Sequence, residues 1–281
     1  GTLKLGNAAG DSLTFTGGLV ATAPSSISMG GTVNTTNTAM SLGDSNTPIT
    51  LVDAVTLNSG TADMTLGGTV NGAVALQLNS TGKTTLGGVV GGSAALSSIN
   101  TNTGGTLVIQ GGRVVTSGIQ SYGEDVLLYN SLRSTSLETT DSAVTFAGTV
   151  KNNTLNAEAL TITSGTGAVT FTGAVGATGA GNAIGALAVN SAGDTTFTST
   201  VDAASVTTNV GGTVVIQGGR VTTSGAQTYN DDVLLDNAAA RTTTLNTTNA
   251  AVMLGGKLNN NTTAAEALTI NAGNGAVTFT G

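Results

Sequence analysis

Residues 107–128 read LVIQGGRVVTSGIQSYGEDVLL, and residues 214–235 read VVIQGGRVTTSGAQTYNDDVLL. Arg113 and its counterpart Arg220 set the offset between these two copies, and the likeness continues beyond them. SAVTFAGTVKNNTLNAEALTITSGTGAVTFTG (142–173) returns as AAVMLGGKLNNNTTAAEALTINAGNGAVTFTG (250–281), where the offset has grown by one, so a single residue is inserted between the matching blocks. A fainter echo joins LQLNSTGKTTLGGVV (76–90) to LAVNSAGDTTFTSTV (187–201). The resulting period of about 107–111 residues is too long for one supersecondary unit, which repeats at roughly 20–50 residues.

A shorter rhythm runs inside it. Apolar-polar alternation restarts at Val126, Val144, Val169, Thr195, Val214, Val233, Val252 and Val277. Its spacing, about 18–26 residues, is on the scale of a single repeat unit. In AVTFTG (168–173), Val169 and Phe171 face one way and Thr170 and Thr172 the other; EALTI (158–162) does the same with Leu160 and Ile162. Short alternating runs broken by Gly, Asn and Ser are strands and turns. No stretch sustains a 3.6-residue apolar rhythm, which predicts essentially no helix. A propeller blade needs about 40–50 residues, and a hairpin sandwich would be rich in Asn-Gly or Asp-Gly turns. A coil of about 18–26 residues with two or three strands is instead the size of a β-solenoid turn, which buries its apolar face only against its neighbours. The expected fold is an all-β right-handed parallel β-helix, the hand following from the crossover preference. Residues 1–281 read as a single continuous solenoid segment, with large repeats at about 104–211 and 212–281 and a degraded copy upstream of 104. Uneven coil length points to turn insertions such as GATGAGN (176–182), and both termini read as an excerpt of a longer repetitive chain.

Composition agrees. Of 281 residues 42 are Gly and 2 Pro, with 8% charged and 3% aromatic. An ordinary soluble domain carries roughly a quarter charged residues. Polarity here rests on Thr, Ser and Asn. The 39% apolar fraction, rich in Val, Leu and Ala, still argues for a packed core. A net charge of −7 opposes phosphate backbones and anionic membranes, so neither nucleic acid nor direct membrane insertion is expected. No apolar run approaches the roughly 18 residues of a membrane span.

Little catalytic chemistry is available. The chain has no His and no Cys, which removes the commonest general base, the strongest nucleophile and the usual transition-metal ligands. No cofactor, no metal and no enzymatic activity are expected. The most acidic pairs, Glu124–Asp125 and Asp231–Asp232, recur with the scaffold and read as solvated turn acids; a weak Ca²⁺ site or a polysaccharide-cleaving carboxylate pair are the alternatives. Glycine-rich GAVGATGAGNAIGA (173–186) lacks the strand-to-helix context of a phosphate loop. Thr-rich runs such as TTFTST (195–200) raise ice binding as a further alternative, against which the irregular coil length counts.

The cations are sparser and better ordered. Six of the eight fall at one position of successive coils: Arg113, Arg133 and Lys151 in one copy, Arg220, Arg241 and Lys257 in the next. They are read as columns that either form ion pairs with acids of the same or adjacent coils, Glu124, Asp125, Glu138, Asp141 and Glu158 in the first copy, or offer a charged contact to a neighbouring solenoid or an acidic glycan.

The blocks VTTSGAQTYNDDVLL and NGAVTFTG, with the insertion type GAVGATGAGNAIGALAVNSAG, resemble the repeats of filamentous-haemagglutinin-like and related β-strand-repeat bacterial surface exoproteins, over most of residues 61–281. That resemblance implies a β-helical shaft, export to the cell surface, and a structural or adhesive role. Its partners would be neighbouring solenoid segments, copies of the same chain, or cell-surface glycans.

Overall fold

In a computed structural model, residues 1–152, 157–176, 183–261 and 265–281 are described. The insertion expected at 176–182 lies, apart from Gly176, outside them. Every strand pairing among the described residues is parallel, and no helix occurs there. The strands stack in about 12 coils: the chain is a parallel β-solenoid. Its contacts group into two compact units, Gly1–Thr140 and Asp141–Gly281.

Columns of inward side chains build each unit, three of them as follows, because alternate residues of a strand point to opposite faces and parallel neighbours lie in register. In the first unit one column runs Leu42, Leu66, Leu86, Ile109 and Leu128. A second runs Ile27, Ile49, Val70, Val90, Val114 and Leu137. The third, Val55, Leu76 and Ile99, leads to Gln120. In the second unit Val150, Val175, Val201, Val221, Leu245 and Ile270 form one column. Another carries Phe146, Phe171 and Phe197, whose rings stack with centroids 4.8 and 5.4 Å apart. The last, Leu160, Leu187 and Val206, leads to Gln227. Each buried aliphatic side chain contributes about 1.5–3 kcal/mol, and each ring pair adds about 0.5–1.5 kcal/mol.

Partners on successive rungs stand as close in sequence as Thr195 and Val214 and as far apart as Leu160 and Leu187. The latter coil is the one whose sequence carries GATGAGN. Most strands keep register, with irregularities between Met29 and Gly31, Asn58 and Gly60, and Thr163 and Gly165. At one recurrent corner a side-chain oxygen caps the next coil: Asn37 Oδ1 accepts from Thr61 N at 3.1 Å, Asp141 Oδ1 from Thr166 N at 2.9 Å, and Asn249 Oδ1 from Asn274 N at 3.0 Å. All three capping residues are left-handed (φ 51°, 52° and 54°). Apart from glycine, Asn and Asp are among the residues that tolerate such a φ best. The outward face carries an amide ladder, with Asn79 Nδ2 donating to Asn58 Oδ1 and Asn58 Nδ2 to Asn34 Oδ1, at 2.6 and 2.7 Å.

Candidate functional site

The repeated block around Gln120 and Gln227 holds the most elaborate polar construction in the molecule, and it faces inward. Residues 120, 122, 124, 126, 128 and 130 are all buried, and so are 227, 229, 231, 233, 235 and 237. Period-two alternation therefore runs unbroken from Gln120 to Asn130 and from Gln227 to Asn237, with polar side chains where Val or Leu would stand in other coils.

Gln120 Nε2 donates to Val114 O (3.2 Å), Glu138 O (2.9 Å) and Thr116 Oγ1 (3.4 Å), while its Oε1 accepts the Tyr122 hydroxyl at 2.9 Å. The second copy repeats this almost atom for atom. Gln227 Nε2 reaches Val221 O (3.2 Å), Asn246 O (2.8 Å) and Thr223 Oγ1 (3.2 Å), and Oε1 accepts Tyr229 OH at 3.0 Å. Both phenols are fully buried, and burial pushes their titration far up. A buried amide or phenol costs free energy unless it is hydrogen-bonded. Here each group is satisfied by the other and by strand carbonyls of its own and the next coil. The clamp cross-links coils through side chains where backbone ladders alone would otherwise hold them.

A second clamp closes the wide turn that follows. Asn130 Nδ2 donates to Ser134 O and its Oδ1 accepts Leu132 N; Asn237 Nδ2 donates to Thr242 O at 2.8 Å and its Oδ1 accepts Ala240 N at 3.2 Å. The residue inserted between the two copies sits in this turn, so the extra length never reaches a strand. Gly112 and Gly219 (both φ 68°) lie over these amides, and a Cβ at either position would collide with Asn130 Nδ2 or Asn237 Nδ2.

The acids differ from the sequence expectation. Glu124 and Asp231 are buried, with relative exposures of 1% and 2%, whereas Asp125 and Asp232 are half-buried on the outer side. Adjacent strand residues face opposite ways, so neither pair gathers two carboxylates on one face, and the reading as solvated turn acids fails for the inner member of each. Glu124 has both oxygens without a hydrogen-bond partner. Burial pushes its carboxyl up to about 8, opposed by the nearby Thr101 hydroxyl. Asp231 is one methylene shorter and accepts the Gly212 N–H at 2.9 Å; its titration is also raised by burial, with that N–H working against the shift. Among the described residues no group of three or more acids is arranged to hold a metal ion.

Arg113 and Arg220 pair with acids across coils, but the six cations do not form columns. Arg113 is bidentate to Glu138 of the following coil, with Nε–Oε1 2.7 Å and NH2–Oε2 2.6 Å. That pairing holds the Glu138 carboxyl below the usual range. Arg220 is bidentate to Asp202 of the preceding coil, both contacts at 2.9 Å, and also donates to Thr222 Oγ1. In register with Arg113 stands Ser136, and with Arg220 stands Thr244. Arg133 and Arg241 lie instead in the wide turns, exposed and left-handed (φ 56° and 52°). Lys257 precedes a strand on another column, its N–H bonded to Asp232 Oδ1 at 2.8 Å, and Lys151 lies half-buried in the strand Val150–Asn152. Stacking by strand register, rather than by distance from the last apolar run, separates residues that align in sequence.

No family model matches this chain, and no curated protein or solved structure is detectably similar to it.

Proposed function

We propose that the chain is a structural repeat segment of an extracellular bacterial surface fibre or adhesin shaft. The observation that carries this reading is the division of labour in the coil. Apolar and aromatic columns continue from coil to coil, polar clamps tie coils together from inside, and the one-residue difference between the two copies is taken up in a turn. This is a scaffold extendable by repetition, with its residues of unusual chemistry used as cross-links.

The partners in this reading are neighbouring solenoid segments or further copies, end to end or side by side. Arg133 and Arg241, exposed in turns on an acidic chain, offer a lateral charged contact. Electron microscopy of the purified chain tests the proposal. Slender shafts or filaments, less associated side by side when Arg133 and Arg241 are both changed to Glu, support it; compact particles whose form is indifferent to that change refute it.

A further inference from the structure

The two copies differ in an outward column, which in the first borders an open notch. In the second unit Thr198, Gln217 and Asp236 occupy successive rungs just beyond the stacked Phe197, Ile216 and Leu235. They form a closed chain: Thr198 Oγ1 meets Gln217 Oε1 at 3.2 Å, and Gln217 Nε2 donates to Asp236 Oδ2 at 2.9 Å. The corresponding rungs of the first unit, beyond Leu86, Ile109 and Leu128, hold Gly87, Gln110 and Tyr129. With no side chain at Gly87 and a phenol ring in place of the carboxylate, the Gln110 side-chain amide has no hydrogen-bond partner among the described residues. Beside it lies an open notch of about 300 Å³ lined by Gln110, Tyr129 and Ser131.

We infer that this notch is a binding site for a neutral hexose unit of a saccharide. Tyr129 is 42% exposed, while Tyr122 and Tyr229 are wholly buried, so it is the one exposed aromatic ring of its residue type. The face of an aromatic ring carries negative quadrupole charge and attracts the weakly positive C–H face of a pyranose. Around that ring stand an unengaged amide, which both donates and accepts, and a hydroxyl, which does the same; this is the complement a sugar's hydroxyls require. Every described group that lines it is uncharged. The volume lies at the lower end of the roughly 300–1,000 Å³ range of ligand pockets, enough for one sugar ring. A single stacked ring in an open notch gives weak affinity, on the order of 1 mM. The inference does not depend on the fibre proposal, since a shaft could exist without it.

The test is saturation-transfer NMR of the intact chain with maltotetraose, cellotetraose and mannotetraose, with trigalacturonate as the charged comparison. The expected result is transfer to at least one neutral oligosaccharide, reduced at least tenfold in Tyr129→Ala. The same change in affinity is expected in Tyr129→Asp, which offers Gln110 the carboxylate partner that Asp236 gives Gln217. The reciprocal variant Thr198→Gly/Asp236→Tyr raises the stoichiometry from one to two. Circular dichroism checks that each variant keeps its fold; a variant that loses it is replaced by Tyr129→Ser or Asp236→Phe. Absence of transfer to all three neutral probes, binding of trigalacturonate alone, or binding indifferent to Tyr129 overturns the inference.

Discussion

The segments around Arg113 and Arg220 share most of their sequence, yet their arginines turn in opposite directions. Arg113 reaches forward to Glu138, Arg220 back to Asp202. The cause is two exchanges on the neighbouring coils. Asn246 stands where the first copy has Glu138, both lying one residue past the leucine (Leu245 or Leu137) that stacks on the strand valine. Gly91 stands where the second copy has Asp202, one residue past the valine of the preceding coil. A guanidinium needs one carboxylate, and each copy supplies it from a different side. Beneath this exchange the Gln–Tyr clamp is preserved, its most dissimilar contact measuring 3.4 Å in one copy and 3.2 Å in the other. The inward polar construction is fixed because a buried amide with a missing partner is costly, while the outward partner drifts because a partly solvated ion pair can be rebuilt nearby.

This contrast breaks if the clamps are unequal, and the largest effect is expected there. Gln120→Leu and Gln227→Leu each strand a tyrosine hydroxyl and several strand carbonyls, at a cost of about 2–4 kcal/mol in chemical denaturation. Similar losses in the two copies are predicted; a clamp that tolerates Leu in one copy alone would show that only the other is structural. Next come the ion pairs, where inequality is the prediction. Arg220→Ala leaves Asp202, with a side chain only 5% exposed, as an uncompensated buried charge and costs about 2–3 kcal/mol. Arg113→Ala leaves Glu138, at 31% exposure, able to recruit water and costs about 1 kcal/mol or less. The double variant Asp202→Ala/Asn246→Glu should return Arg220 to the forward arrangement and recover most of the loss seen in Asp202→Ala.

Fold and site are unequally legible in the sequence. Strand positions, coil length and the absence of helix follow from alternation and punctuation, since a stacked coil leaves no freedom about which side chains face in. The ion pairs are half legible: Glu138 is a candidate partner for Arg113, but Asp202 lies 18 residues before Arg220 and becomes its neighbour only through register. The clamps and buried acids escape for a physical reason. Gln, Tyr, Glu and Asp beside Gly and Asn look like a turn, and local polarity hides the parity of the strand. Counting by twos back from Leu128 and Val126 through Glu124, Tyr122 and Gln120 places all three inside.

The buried acids sharpen the same comparison through pH. The Glu124 carboxyl, at about 8 in the fold against an ordinary 4.5, favours the protonated form. Its contribution to stability is complete below about pH 4.5 and is lost as pH rises through 8. Glu124→Gln should therefore flatten the fall in melting temperature between pH 5 and 9. Asp231→Asn should do so less, because the Gly212 N–H already supports the ionised form. The smallest expected effect is a gain. Thr195 lies between Val169 and Val214 in a core column with its hydroxyl unpaired, so Thr195→Val should stabilise by about 1 kcal/mol in the same unfolding assay.

The claim that the repeat preserves its inward clamp is tested most directly by hydrogen exchange at side-chain amides, followed by NMR. The Nε2 protons of Gln120 and Gln227 should exchange slowly and at similar rates, as fully bonded groups that open only when coils separate, while those of the exposed Gln110 exchange at the rate of a free amide. Fast exchange at Gln120 or Gln227, or rates differing by orders of magnitude between them, would contradict it.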